Sequence, residues 1–390
     1  MRPELTRAAI QQDVARRLRA VSALMAEFDL GAILALAIGA PSQAGWLHYL
    51  AAAELYDGAA FVILEPRRPD PLIVVSPEDA AEAIQATGAT RRVEALASTD
   101  GAIKRVIEII GSLVGNRRRI GVLGAGSQWS WRDHVEVTRT LPGLTLVDIT
   151  AAANALRMVK SPVEVAIMQE LGRLLDQGLT LFEQEARPGR LAWEVAGEIE
   201  GFLRGRGCFW GTSKYSFDHR PYLYPAPLDR RLSADDAMVY EFVYSGPPGY
   251  WYILSSLYSF RPLADGVARR LRATEQAIRE TARVAVPGST RADLARAADR
   301  VFTDWGMTIV GRHTVDCHPI GTDINDGPGD VPPEWTLREN MTLAIHPATM
   351  LEGECGYFLC DVFLVRPEGA VALSPRRSFY RHLDGAAGSP

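Results

Sequence analysis

The sequence predicts an α+β protein in two parts, an α/β domain over 1–155 and a strand-rich domain over 156–390. Three observations lead there. Short apolar runs alternate with helical stretches through the first 155 residues, which is the pattern of a sheet covered by helices. A helix start is written into "VKSPVEVAIMQE", where Ser161, Pro162 and Glu164 supply an N-cap, a first-turn proline and a capping-box carboxylate. Beyond residue 208 the period changes to strand alternation, bent around a Gly-Pro-Pro-Gly turn.

The elements follow in order. Val14, Leu18, Val21, Leu24, Met25 and Phe28 form one helical stripe. "GAILALAI", "GAAFVILEP", "PLIVVS" and "RIGVLGAG" read as buried strands, with helices at "DAAEAIQATG" and "GAIKRVIEIIGSLVG" between them. After Pro162, Ile167, Leu171, Leu174, Leu175, Gly178, Leu181 and Phe182 hold the apolar face of a long helix. A second helix, over about 191–204, stops at "GRG". "MVYEFVYSGPPGYWYILSSLYSF" is a hairpin. Helices over about 265–285 and 291–305 come next, the second capped by Thr290 with Asp293. Strands over about 308–317, 341–346 and 356–366 finish the chain, and the middle one delivers an ionisable ring, His346, to the core.

Composition narrows the class. The 390 residues are enough for two domains, and 47% hydrophobic with 23% charged residues is an ordinary globular balance. A net charge of −5 gives no footprint for nucleic acid and no polybasic membrane patch. The first residues are charged and helical in period, unlike a signal segment, and no apolar run is long enough to span a bilayer. The four cysteines, Cys208, Cys317, Cys355 and Cys360, have no CxxC spacing and fit free thiols in a reducing cytoplasm.

Five segments then carry a resemblance. In order they are "LRMVKSPVEVAIMQE", "GYWYILSSLYSF", "HPIGTDINDGP", "LRENMTLAIHPATML" and "CDVFLV". Their order and spacing resemble the motifs of the creatinase, prolidase and aminopeptidase P family. The resemblance implies a creatinase-type N-terminal domain over 1–155 and a pita-bread catalytic domain over 156–390. Hydrolases of that family hold two metal ions with two aspartates, a histidine and two glutamates. On this chain only the histidine survives, as His318. The first aspartate falls at Glu241 or Phe242, depending on a one-residue gap, and the second near Ile253. The glutamate positions hold His346 and Cys360. Two neighbouring divalent ions need bridging carboxylates to offset their repulsion. The resemblance therefore implies that the dinuclear site is lost and that no metal or other cofactor is used.

The family's metal-free branch, the creatine-hydrolysing enzymes, uses a histidine as acid and base, at the position of His219 in "YSFDHRPYLYP". Their glutamate after the hairpin falls near Ser255 and their substrate-clamping arginine near Asp57, so that anion clamp is missing. The expected catalytic residues are His219 as proton carrier, His318 and His346 as groups that polarise or stabilise charge, and Glu241 as orienting acid. The plain alternatives are a loop histidine packed on aromatics and a surface acid on an edge strand. Glu241, His318, His346 and Cys360 could also form one tetrahedral zinc site.

Tyr222, Tyr224, Tyr244 and Trp251, from a crowd of aromatics over 210–258, are the expected substrate contacts together with Cys360 and Asp57. Such walls suit an aromatic or cationic small molecule. His313 and Cys317 read as structural, with Cys317 on the face opposite His318. Asn325 stands where the peptidases carry a substrate-touching histidine. The expected function is metal-independent hydrolysis, elimination or rearrangement at a C–N or neighbouring bond. The alternatives are a mononuclear metal-dependent hydrolase and an inactive binding module. The resemblance implies a homodimer in which Glu54, Tyr56 or Asp57 reaches the partner's site, with no nucleic-acid or membrane partner.

Overall fold

The computed structural model describes residues 5–114, 118–126, 128–217, 224–225, 229–312, 317–327, 332–347, 349–351, 354–355 and 357–383. It divides into two compact units. The first comprises Met1–Ala166 with Pro248–Tyr250 and Gly321–Pro328, and the second the remainder.

The first unit runs α1 (Arg7–Glu27), β1 (Ala32–Ile38), α2 (Gly45–Ala51), β2 (Ala59–Leu64), β3 (Leu72–Ser76), α3 (Ala80–Thr87), β4 (Val93–Ala95), α4 (Thr99–Val114), β5 (Arg119–Leu123), α5 (Trp131–Thr140), β6 (Thr145–Asp148) and α6 (Thr150–Arg157). The sheet order is β4-β3-β2-β1-β5-β6. β2 is antiparallel to both neighbours, and the remaining pairs are parallel. Strand alternation sends Ile33, Ala35, Val62 and Ile73 to one face, under α1 and α2, and Leu34, Phe61, Ile63 and Val74 to the other, under α4. The apolar stripe of α1 is buried as its period requires. The short α2 has no sequence signature, because all seven of its residues are buried and no polar face marks its period.

Charge is also buried in this unit. Arg17, 1% exposed, donates to Asp13 at 2.7 Å and to the Tyr49 carbonyl at 3.2 Å, with Glu164 3.8 Å away. Glu164 does more than cap a helix, since it also accepts the Tyr250 hydroxyl at 2.8 Å. A second set holds the 321–328 segment: Arg157 pairs with Asp323 and Lys160 with Asp326, each at 2.7 Å, and Arg157 lies over the Trp46 ring.

The second unit contains most of α7 (Pro162–Glu185), α8 (Ala192–Arg204), β7 (Gly211–Phe217), β8 (Tyr224–Pro225), β9 (Ala237–Gly246) and most of β10 (Tyr250–Ser259). Then come α9 (Asp265–Val284), α10 (Arg291–Asp304), β11 (Ile309–Arg312), β12 (Cys317–Pro319), β13 (Thr342–Ile345), β14 (Thr349–Leu351), β15 (Glu354–Cys355), β16 (Asp361–Leu364), β17 (Val371–Ala372) and β18 (Tyr380–His382). One sheet is ordered β18-β10-β9-β7-β8, another β12-β13-β16-β17, and β11-β14-β15 form a third. The hairpin and the Thr290–Asp293 capping box form as the sequence indicates. Gly249, in the hairpin turn, has φ +87°, and a Cβ there would collide with the His48 ring, so only glycine fits. Among the described residues no helix is long and apolar enough to cross a membrane.

Removing one partner of a buried ion pair strands the other charge. Arg17→Met is expected to lower stability by about 3–5 kcal/mol, against about 1 kcal/mol for Tyr250→Phe. Urea unfolding of both variants measures the difference, and equal losses would show that the Arg17 charge is not what the cluster depends on.

Candidate active site

The site is set by strand parity in the second unit. On β9, Tyr240 stacks on Phe182 of α7 with ring centroids 4.1 Å apart, and a Cβ at Gly178 of α7 would lie 3.0 Å from Phe242. The even-numbered residues of β9 therefore face the helix, and Val239, Glu241 and Val243 face away from it. On that alternation Glu241 faces away from α7 and Phe242 faces it, although both are buried. β10 has the same parity. Tyr258 packs on Phe182, and Tyr252 packs beside Gly172 of α7, while Trp251, Ile253 and Ser255 fall on the other face.

Glu241 is 1% exposed and sits directly across from Lys214 of β7. The Lys214 ammonium lies 3.4 Å from Glu241 Oε1, while Oε2 has no hydrogen-bond partner among the described residues. The lysine side chain is 30% exposed, so the pair runs from solvent into the core. Burial raises the Glu241 carboxyl to about 7, and the neighbouring ammonium only partly opposes that rise.

The second sheet supplies the histidines. His318 pairs with Ala344, and Ile345 pairs with Asp361. Continuing that register by one step sets His346 opposite Cys360, and His318, Ala344, His346 and Cys360 share a face. The rings of His318 and His346 are 5.2 Å apart, and His346, 3% exposed, stacks on Phe358 at 4.8 Å. Cys317 is buried on the opposite face. The Cys360 thiol is pushed well up by burial, with the Glu241 and Asp361 carboxylates adding to the effect. It is therefore a neutral thiol and a poor nucleophile.

Behind that face Asp361 is 2% exposed and accepts the Tyr252 hydroxyl at 2.7 Å and the Ser374 hydroxyl at 2.6 Å. Burial raises its carboxyl to about 6, against the pull of those donors. Ser255 accepts the Cys360 amide at 2.7 Å and donates to the Phe358 carbonyl at 3.2 Å, which ties β10 to the Cys360 strand end.

Several expected residues fall elsewhere. Tyr244 belongs to the even face of β9, 6.0 Å from Phe242, with a Cβ at Gly211 in collision with its ring, so it packs in the core. Tyr215, Tyr240, Tyr252 and Tyr258 are likewise fully buried, so most of the aromatic crowd is packing between sheet and helix. Trp251 keeps the Glu241 parity and is 2% exposed. Asp57 is exposed in the first unit and accepts its neighbour's amide, and Tyr56 is 41% exposed. Asn325 accepts the Gly327 amide. His219, Tyr222 and His313 lie outside the described residues, as does the side chain of Tyr224. The residues that sequence reasoning missed are Lys214 and Asp361. Asp361 had a visible signal, the acid beside Cys360 in "CDVFLV".

The two-ion carboxylate cage that the resemblance implies does not fit these residues. Lys214 already places a positive charge against Glu241, and Ile253 offers no donor. Among the described residues no three histidine, cysteine, aspartate or glutamate side chains converge at metal-binding distance.

Comparison with known proteins gives the wider context. Residues 166–367 match the model of metallopeptidase family M24. The probable dipeptidase PepE of Mycobacterium bovis is 25% identical over 240 residues, which is 60% of this chain and 62% of that protein. This chain thus matches somewhat under two thirds of that relative's length. The uncharacterized hydrolase/peptidase y4tL of Sinorhizobium fredii is 25% identical over 389 residues, covering 93% of this chain and 95% of that one. The X-Pro aminopeptidase of Thermotoga maritima superposes with a TM-score of 0.79 at 16% identity, over 94% of this chain and 99% of that one. That likeness bears out the two-part pita-bread architecture.

The raised Glu241 carboxyl has a consequence for stability. An unfolded glutamate ionises near 4.5, whereas the folded chain keeps the proton up to about 7. The folded state thus binds more protons in that window, so this residue's contribution is greatest below pH 4.5 and is lost as pH rises towards 7. Glu241→Gln removes the loss. Relative to wild type it gains up to about 3 kcal/mol between pH 5 and pH 8. Urea midpoints at the two pH values test this, and a gap that does not change with pH would refute it.

Proposed function

The protein belongs to metallopeptidase family M24, and from that membership we propose a hydrolase that cleaves a C–N bond of a small molecule by acid–base catalysis without a metal ion. The observation that carries the reading is the Lys214–Glu241 pair. A protein ammonium stands 3.4 Å from the acid at a position where the resemblance implies a metal ligand. It supplies fixed positive charge of the kind that stabilises a developing oxyanion.

In this reading Glu241 takes a more active part than orientation. A carboxyl whose ordinary acidity has been shifted to about 7 is matched to proton transfer at neutral pH. It accepts a proton from water as the water oxygen bonds to the substrate carbon. The proton returns to the leaving nitrogen as the C–N bond breaks, and protons balance over the cycle. Lys214 faces the oxygen that gains charge. His318 and His346 line the same cleavage region as hydrogen-bond donors, and His219 remains a second candidate proton carrier. Trp251 and Cys360 contribute apolar wall. The buried Asp361, held by Tyr252 and Ser374, fixes the strand that presents Cys360.

The names of the relatives favour a second reading, in which the bond cleaved is the amide of a dipeptide. Both readings involve a C–N bond, and they differ in substrate rather than in the groups that move protons. The homodimer and the contribution of Glu54, Tyr56 or Asp57 to a partner's site remain part of the proposal.

A panel of dipeptides, Xaa-Pro peptides, ureido acids and guanidino acids, assayed with and without EDTA, tests the reading. We expect turnover of one class to survive EDTA and exhaustive dialysis. Lys214→Met and Glu241→Gln should each lower kcat by about 100-fold or more, while Lys214→Arg retains part of it. Loss of activity in EDTA, restored by a divalent ion, would overturn the metal-free proposal whichever substrate class is used.

A further inference from the structure

A cleft of about 710 Å³ lies on the far side of β16 from Cys360, between α9, the β16–β17 turn and the 376–379 segment, all within the second unit. Its size is in the range of small-molecule pockets, roughly 300–1,000 Å³. Its floor is apolar, made by Ile278, Ala282, Phe363, Ala370 and Phe379. Its polar lining is dominated by arginines 279, 283, 366, 376 and 377, in a chain whose overall charge is −5.

Those arginines are not equivalent. Arg376 is committed inward, to Asp176 at 2.8 Å and Glu183 at 3.1 Å. Arg283 and Arg366 make exposed pairs with Glu280 and Glu339, which are weak and easily exchanged. Arg279 and Arg377 are exposed and have no hydrogen-bond or ion-pair partner among the described residues. The acids of the lining are Glu368, which is exposed, and Asp361, which is buried and turned to Tyr252 and Ser374. A ligand's negative charge is therefore repelled from the floor and attracted to the rim. Its apolar body suits the reverse position.

We propose that this cleft binds a small amphipathic anion, with an apolar body against Ile278, Phe363 and Phe379 and a carboxylate, sulfonate or phosphate held at the rim by Arg279 and Arg377. Guanidinium groups suit this role because their planar donor array matches such oxygens in pairs. The site is separate from the cleavage site and stands whether or not the proposed reaction does.

The test uses the full chain and 8-anilino-1-naphthalenesulfonate, an aromatic sulfonate whose fluorescence reports burial, beside uncharged N-phenyl-1-naphthylamine. One equivalent of the sulfonate should bind, protecting amides of 278–283 and 366–379 from hydrogen exchange. Arg279→Glu with Arg377→Glu should weaken it at least 10-fold, with an unchanged urea midpoint and little effect on the neutral probe. Unchanged sulfonate affinity in the double variant, equal weakening of both probes, or protection elsewhere would overturn the proposal.

Discussion

Parity along one strand decides which side chain meets Lys214. β9 is buried along nearly its whole length, so burial alone does not say which of its residues face a site. The helix-side packing of Tyr240 and Phe242 fixes the alternation, and Glu241 follows by necessity. A slip of one residue would put a phenylalanine on the open face and a carboxylate in the aromatic core. The Phe182–Tyr240–Tyr258 stack is thus more than packing, because it holds the register that exposes an acid to Lys214.

The electrostatics follow from that register. A buried carboxylate without a partner is expensive, and the protein answers in two ways: an ammonium on the neighbouring strand, and a raised affinity for the proton. A divalent ion would be a third answer, but it would stand beside the positive charge of the ammonium. Ile253 carries no charge and the Cys360 thiol is neutral, so Lys214 is the charged group that offsets the Glu241 carboxylate.

Much of the fold was legible in the sequence, and so was part of the site. The α1 stripe, the Ser161–Glu164 and Thr290–Asp293 boxes and the Gly-Pro-Pro-Gly hairpin are local patterns, and local patterns survive folding. His346 stood out as an ionisable ring at the end of an apolar strand, and Glu241 and His318 followed from the resemblance. Lys214 did not, because its meaning depends on pairing with a residue 27 positions away, and nothing near it in the chain reports that register. The core position of Tyr244 was hidden for the same reason: alternation gives two faces, and only the position of α7 says which is the core. The arginine cleft was invisible because its contributors lie on α9 and beyond β16, far apart in the chain.

β16 joins these features into one mechanical element. Cys360 at its start looks towards the histidines, and the next residue, Asp361, looks towards α9 and the cleft. Tyr252 and Ser374 hold Asp361 from two sides, and Ser255 holds the Cys360 amide, so three side chains from two segments pin two consecutive residues. A strand end fixed at so many points has little freedom to shift, and it positions Cys360 without any contact from the substrate. The same pinning explains why an apolar residue would be a poor exchange for Asp361. Tyr252 would lose its acceptor in a fully buried setting, and an orphaned hydroxyl there costs about 1–3 kcal/mol. Asp361 is therefore held by the hydrogen bonds of Tyr252 and Ser374, a duty that the side chain of its neighbour Cys360 does not share.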